Sequence, residues 1–103
     1  MGNRKPQGIN HMVFTVKMST KTEKMLRELS EDEAASFVLL KDDMVRTKGK
    51  PYTRWKNCGP VKQLGTDYYH CHLSNSTVVV WLLDKKNLLC KITYVGSREK
   101  APY

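Results

Sequence analysis

Hydrophobic and polar positions follow different periods in different parts of this chain, and each period predicts an element. From Met12 to Met18 the alternation is strict. Met12, Phe14, Val16 and Met18 fall on one side, Val13, Thr15 and Lys17 on the other, as in a half-buried first strand. The period then lengthens. Thr20-Lys21-Thr22-Glu23 matches a capping box, and Met25, Leu26 and Leu29 give the short helix that follows one apolar edge. Ser30-Glu31-Asp32-Glu33 is a second capping box, with three carboxylates in the turn where a helix dipole favours them. Ala34, Phe37, Val38, Leu40, Lys41, Met44 and Val45 carry a helical stripe on to about Arg46, and Gly49 and Pro51 close it.

The stretch from Tyr68 to Tyr103 returns to strand periods. Tyr68–Leu73, Thr77–Leu83 and Leu88–Val95 are rich in Val, Ile, Thr, Tyr and Trp, and the polar breaks between them are of hairpin length. On the first run Tyr68, His70 and His72 share one face, and Tyr69, Cys71 and Leu73 the other. The second, Val78-Val79-Val80-Trp81-Leu82-Leu83, is apolar on both faces and is expected at the centre of a sheet. On the third, Leu88, Cys90 and Ile92 oppose Leu89, Lys91 and Thr93. The order β-α-α-β-β-β predicts an α+β fold, a helical hairpin covering one face of an antiparallel meander. One domain over 1–103 is expected, with 1–10 a flexible arm.

Charge adds a direction. The net charge of +8 is unevenly spread: residues 23–43 carry a net of −4, whereas 44–103 alone carry +8. Segregation of this kind presents a basic surface to a polyanion and leaves an acidic segment elsewhere. Lys48 to Lys62 holds bases, no acid, Tyr52 and Trp55, a mixture suited to phosphate neutralisation and base stacking. The alternative for Trp55 is that it folds back on the core. No run is long enough to span a membrane, and the three cysteines, two of them inside predicted strands, predict a reduced, cytoplasmic protein. No metal or other cofactor is expected: no Cys-x2-Cys spacing occurs, and Cys71 points away from the histidines. Imidazoles on a strand face, beside a tail carrying Arg98 and Tyr103, form the candidate site.

The strand–helix–helix–three-strand order, the segment Leu64-Gly-Thr-Asp-Tyr-Tyr-His70-Cys-His72-Leu73 and the ending Val95-Gly-Ser-Arg98-Glu-Lys-Ala-Pro-Tyr103 together resemble the RelE/ParE superfamily of toxins from toxin–antitoxin systems. The resemblance implies a RelE-like, microbial-ribonuclease type of fold. It also implies a metal-independent endoribonuclease that cuts messenger RNA on the ribosome and is silenced by an antitoxin. His70 and His72 fall where RelE-type members place two lysines, Arg98 on the tail arginine and Tyr103 near the tail aromatic. Another arginine of such members has no counterpart, since Val78 stands near its place.

RNA cleavage by its own 2′-hydroxyl needs a base, a cation for the charged phosphorane and an acid for the leaving oxygen. Histidine serves in either direction near neutrality. His72 is assigned as base, His70 as acid or phosphate ligand, Arg98 as the transition-state cation, and Tyr103 as a stacking or proton-donating group. Lys48, Lys50, Arg54, Lys56, Lys62, Tyr68, Lys91 and Lys100 complete the expected RNA-binding set. Two other readings stay open: a non-catalytic, ParE-like gyrase-targeting toxin, and a basic RNA-binding module of the same fold.

Overall fold

The computed structural model describes residues 14–51, 55 and 57–103. The expected arm, His11 and the beginning of the expected first strand lie outside these residues. Five strands, β1 (Thr15–Met18), β2 (Gly59–Pro60), β3 (Tyr68–His72), β4 (Thr77–Asp84) and β5 (Leu89–Ser97), form one sheet in the order β1-β5-β4-β3-β2. Two helices, α1 (Thr20–Arg27) and α2 (Glu31–Arg46), connect β1 to the rest. The α+β layering is as expected. Two details go beyond the periodicities: β1 joins the meander in parallel beside β5, and the two-residue β2 pairs with β3 at the far edge.

α1 starts one residue earlier than the capping pattern predicts. Ser19 is extended, and its hydroxyl accepts the Thr22 amide at 3.2 Å, so Thr20 is already helical. Thr22 is the reason: its buried hydroxyl donates to the Ile92 carbonyl at 3.4 Å, fixing the first turn against β5. The second capping box forms as expected between Ser30 and Glu33. Glu33 extends it by accepting a hydrogen bond from the Ser74 hydroxyl at 2.8 Å, which ties α2 to the β3–β4 turn.

The core lies between the helices and one sheet face. Phe37, Leu40 and Met44 pack from α2 against Tyr69, Cys71, Val79, Trp81, Leu83, Cys90, Ile92 and Val95. The expected α2 stripe is narrower than its sequence, because Val38 lies to the side of that line and is 61% exposed. Gly49 ends the helix region at φ +85°, where a Cβ would come within 2.5 Å of Leu83 Cδ1. Its carbonyl accepts the buried Trp81 indole N–H at 3.0 Å. Trp55 does fold back: it packs on the core and donates its indole N–H to Asp43 at 2.8 Å. β4 is central, with Val78, Val79, Val80 and Trp81 all buried.

Candidate active site

The helices leave the second sheet face open, and strand alternation puts the candidate chemistry there. In β3, Tyr69 and Cys71 are buried in the core, which leaves Tyr68, His70 and His72 on the outer side. His70 stands opposite Val80, and His72 opposite Val78, both valines fully buried. The imidazoles therefore rest on an apolar floor. Their ring centroids are 5.5 Å apart, within reach of a single phosphate between them.

β5 contributes through a defect in its pairing. Val80 pairs with Tyr94 but Trp81 pairs with Ile92, so Thr93 is an extra residue, a β-bulge. Without it, Tyr94 would continue the core-facing series of Cys90 and Ile92. With it, Val95 turns into the core and Tyr94 turns out to the face of the histidines. The Tyr94 hydroxyl then donates to the Ser97 carbonyl at 2.7 Å, folding the phenol back over Gly96. A Cβ on Gly96 would lie 3.1 Å from that hydroxyl oxygen, so a glycine leaves the ring its place.

The tail is held by its backbone. The Ser97 hydroxyl accepts the Glu99 amide at 3.1 Å and caps a short 3₁₀ turn, Arg98–Lys100. The Arg98 amide donates to the Ser76 carbonyl at 2.7 Å, which pins that turn to the β3–β4 connection next to His72. From there the chain brings the Tyr103 ring to 5.3 Å from the His70 ring.

This arrangement sets the protonation of the site. Burial above the valine floor lowers the His72 pKa first, and the neighbouring His70 and Arg98 charges lower it further, against a hydrogen bond to the Ser74 backbone. His70 Nδ1 lies 3.1 Å from the Gly59 carbonyl. A carbonyl can only accept, so Nδ1 carries a proton there and Nε2 is the end left for chemistry. Burial raises the Tyr103 phenol pKa, partly opposed by the Arg98 charge.

His70, His72, Arg98 and Tyr103 are thus brought together, with Lys100 in the turn beside Arg98. Tyr68 and Lys91 lie further along the same face, both level with Leu82, and Lys91 also pairs with Asp84 at 3.5 Å. Lys48 and Lys50 are elsewhere, around a cavity with Leu83 and Leu88 at the opposite end of β4. Lys62 is exposed in the turn after β2. Arg54 and Lys56 fall outside the described residues, as does Tyr52. Among the described residues no group of three or more His, Cys, Asp or Glu side chains could hold a metal ion. No described helix is long and apolar enough to cross a membrane. Sequence periodicity missed Tyr94 and the Gly59 carbonyl. The spacing Cys90, Ile92, Val95, which breaks a period of two, was the available signal for the first.

No family model and no curated protein sequence matches the chain. Solved structures do. The archaeal RelE–RelB complex from Pyrococcus horikoshii superposes with a TM-score of 0.68 at 19% identity, over 87% of this chain and 100% of that one. A mutant of the Escherichia coli toxin RelE in the free state gives 0.68 at 13% identity, over 87% and 88%. The YoeB–YefM complex from Staphylococcus aureus gives 0.62 at 11% identity, over 82% and 97%. The chain has the RelE fold, in which two helices pack on a largely antiparallel five-stranded sheet.

Proposed function

We propose that this protein is the toxin of a toxin–antitoxin pair, an endoribonuclease that cuts messenger RNA on the ribosome and so halts translation. The observation that carries this reading is the meeting of His70, His72, Arg98 and Tyr103 on one open, basic sheet face. Neutral His72 removes the proton of a 2′-hydroxyl, whose oxygen attacks the adjacent phosphorus. Arg98 holds the phosphate oxygens as their charge grows. His70, held through Nδ1 by the Gly59 carbonyl with Nε2 free, protonates the departing 5′-oxygen, leaving a 2′,3′-cyclic phosphate. The nucleophile comes from the RNA itself, so the step is complete with these side chains. Tyr103 shields His70 and offers a face for a base. A protein of this fold has been solved in a toxin–antitoxin complex, RelBE2 from Mycobacterium tuberculosis. The partner proposed here is a cognate antitoxin whose acidic segment covers the basic face.

The test is induced expression with mapping of RNA 5′ ends, comparing the wild type with His72→Ala and Arg98→Ala. New ends in the wild type, absent from both variants, are expected. Growth arrest with intact RNA would overturn the nuclease assignment. One observation favours a second reading: buried Val78 occupies the neighbourhood in which RelE-type members carry a further arginine. A ParE-like relative would keep its toxicity in His70→Ala and His72→Ala, whereas a purely RNA-binding module would bind RNA with a steep salt dependence and cut nothing.

A further inference from the structure

Cys58 and Cys71 face each other across the β2–β3 edge. The recorded pairs Pro60↔Tyr69 and Gly59↔His70 place Cys58 opposite Cys71 at the next step of the register. The Val61 amide donates to the Tyr68 carbonyl at 2.8 Å. Val61/Tyr68 and Gly59/His70 are therefore the hydrogen-bonded pairs, and Cys58/Cys71 is of the non-hydrogen-bonded kind, whose side chains approach more closely. Both side chains lie on the core side, Cys71 fully buried and Cys58 half-buried. All three cysteines are free thiols.

We propose that Cys58 and Cys71 are a reversible dithiol–disulfide pair that clamps the edge strand β2 onto β3 directly beneath His70. A cross-strand pair of this class has the Cα and Cβ separations that a disulfide requires. The two thiols act on one another: the Cys71 side chain holds Cys58 below the ordinary thiol range, while the Cys58 side chain and burial push Cys71 up. Cys58 is the partner that solvent reaches, and it is the better nucleophile of the two. Its thiolate attacks one sulfur of a small disulfide such as oxidised glutathione, expelling one thiol and leaving a mixed disulfide. Cys71 then gives up its proton and attacks the Cys58 sulfur, expelling the second thiol. Two protein thiols and one small disulfide become one protein disulfide and two small thiols.

The consequence lies at the site. β2 is only two residues long, yet its Gly59 carbonyl orients His70. A bond one residue before Gly59 fixes that carbonyl in place. Disulfides in a reducing compartment are mostly transient and redox-sensing, which suits a pair that is poised but open.

The purified full chain, titrated with oxidised glutathione and then alkylated after unfolding, tests this without reference to RNA. Expected are a mass lower by two hydrogens, a single alkylated thiol (Cys90), a linked pair of peptides carrying Cys58 and Cys71, and full reversal by dithiothreitol. Amide exchange at Val61 should slow by at least about threefold in the oxidised form, because opening of β2 is suppressed. Cys58→Ser and Cys58→Ala should fold and show neither change. Three alkylated thiols throughout the titration, or a glutathione adduct on Cys58 that never resolves, would overturn the pair. A disulfide with unchanged Val61 exchange would overturn the clamp. These readouts involve no cleavage, so they succeed or fail independently of the nuclease assignment.

Discussion

The Tyr103 ring lies 5.3 Å from the His70 ring, tilted by 53°, although the two residues enter the site from opposite ends of the meander. The contact depends on the tail being pinned at Arg98, whose amide is bound by the Ser76 carbonyl. Aromatic pairs of this kind contribute about 1 kcal/mol. Tyr103→Ala is therefore expected to reduce RNA cleavage about fivefold, since about 1.4 kcal/mol corresponds to tenfold in a rate. Tyr103→Phe keeps the ring and should stay within about threefold of the wild type. An equal loss in both variants would show that the phenol proton, not the ring, is what matters.

His72 makes the site sensitive to acid. Its folded pKa is below the ordinary 6.5, so between the two values the unfolded chain binds more protons than the folded one. The associated stability is complete above 6.5 and is lost as pH falls through the lower folded value. In urea melts, the wild type should lose stability relative to His72→Gln as pH falls below 6.5, with no relative change above it. The acidic limb of the cleavage profile should likewise lie below 6.5. A stability difference that does not change with pH would contradict the assigned shift.

The bulge at Thr93 is what turns Tyr94 outward, by letting Tyr94 pair with Val80 and Val95 with Val79. Deleting Thr93 sets Tyr94 directly after Ile92, so the same pairing should persist as a regular ladder with Tyr94 still outward. Chemical denaturation of the deletion variant checks this: a loss on the order of 2 kcal/mol or more, the cost of exposing Val95, would show that the strand had reversed instead. Gly96→Ala is the gentler probe. Its methyl group meets the Tyr94 hydroxyl and should cost about 1 kcal/mol through the Tyr94–Ser97 hydrogen bond, measured by chemical denaturation. If Tyr94→Phe already lacks that bond, Gly96→Ala should cost less in that background.

Glu33 both caps α2 and receives the Ser74 hydroxyl, and hydrogen bonds from Thr77 and Ser74 lower its pKa. Glu33→Ala should destabilise by about 1–2 kcal/mol, a helix cap together with a hydrogen bond to a charged group. Glu33→Gln should recover part of this. Thermal melts of the two variants decide the point, and equal losses would leave the tie between α2 and the β3–β4 turn without support.

How much of this was legible beforehand differs from one residue to the next. Local periodicity determined the two helices and β1, β3, β4 and β5, the buried and open faces of β3, and the central place of β4, because side-chain alternation and helical spacing are properties of consecutive residues. It also placed His70 and His72 on the open side. Tertiary structure decided what depends on pairing across the chain. The bulge that aims Tyr94, the Gly59 carbonyl on His70 and the Ser76 carbonyl that holds Arg98 exist only when distant segments meet in register. Ser19 replaces Thr20 as the cap of α1 for the same reason: Thr22 is fixed by a carbonyl of β5, far away in sequence. The basic residues were divided in the same way. Composition counts Lys48, Lys50 and Lys91 as one positive surface, but the direction of β4 sends the first two to one end of the sheet and leaves the histidines at the other.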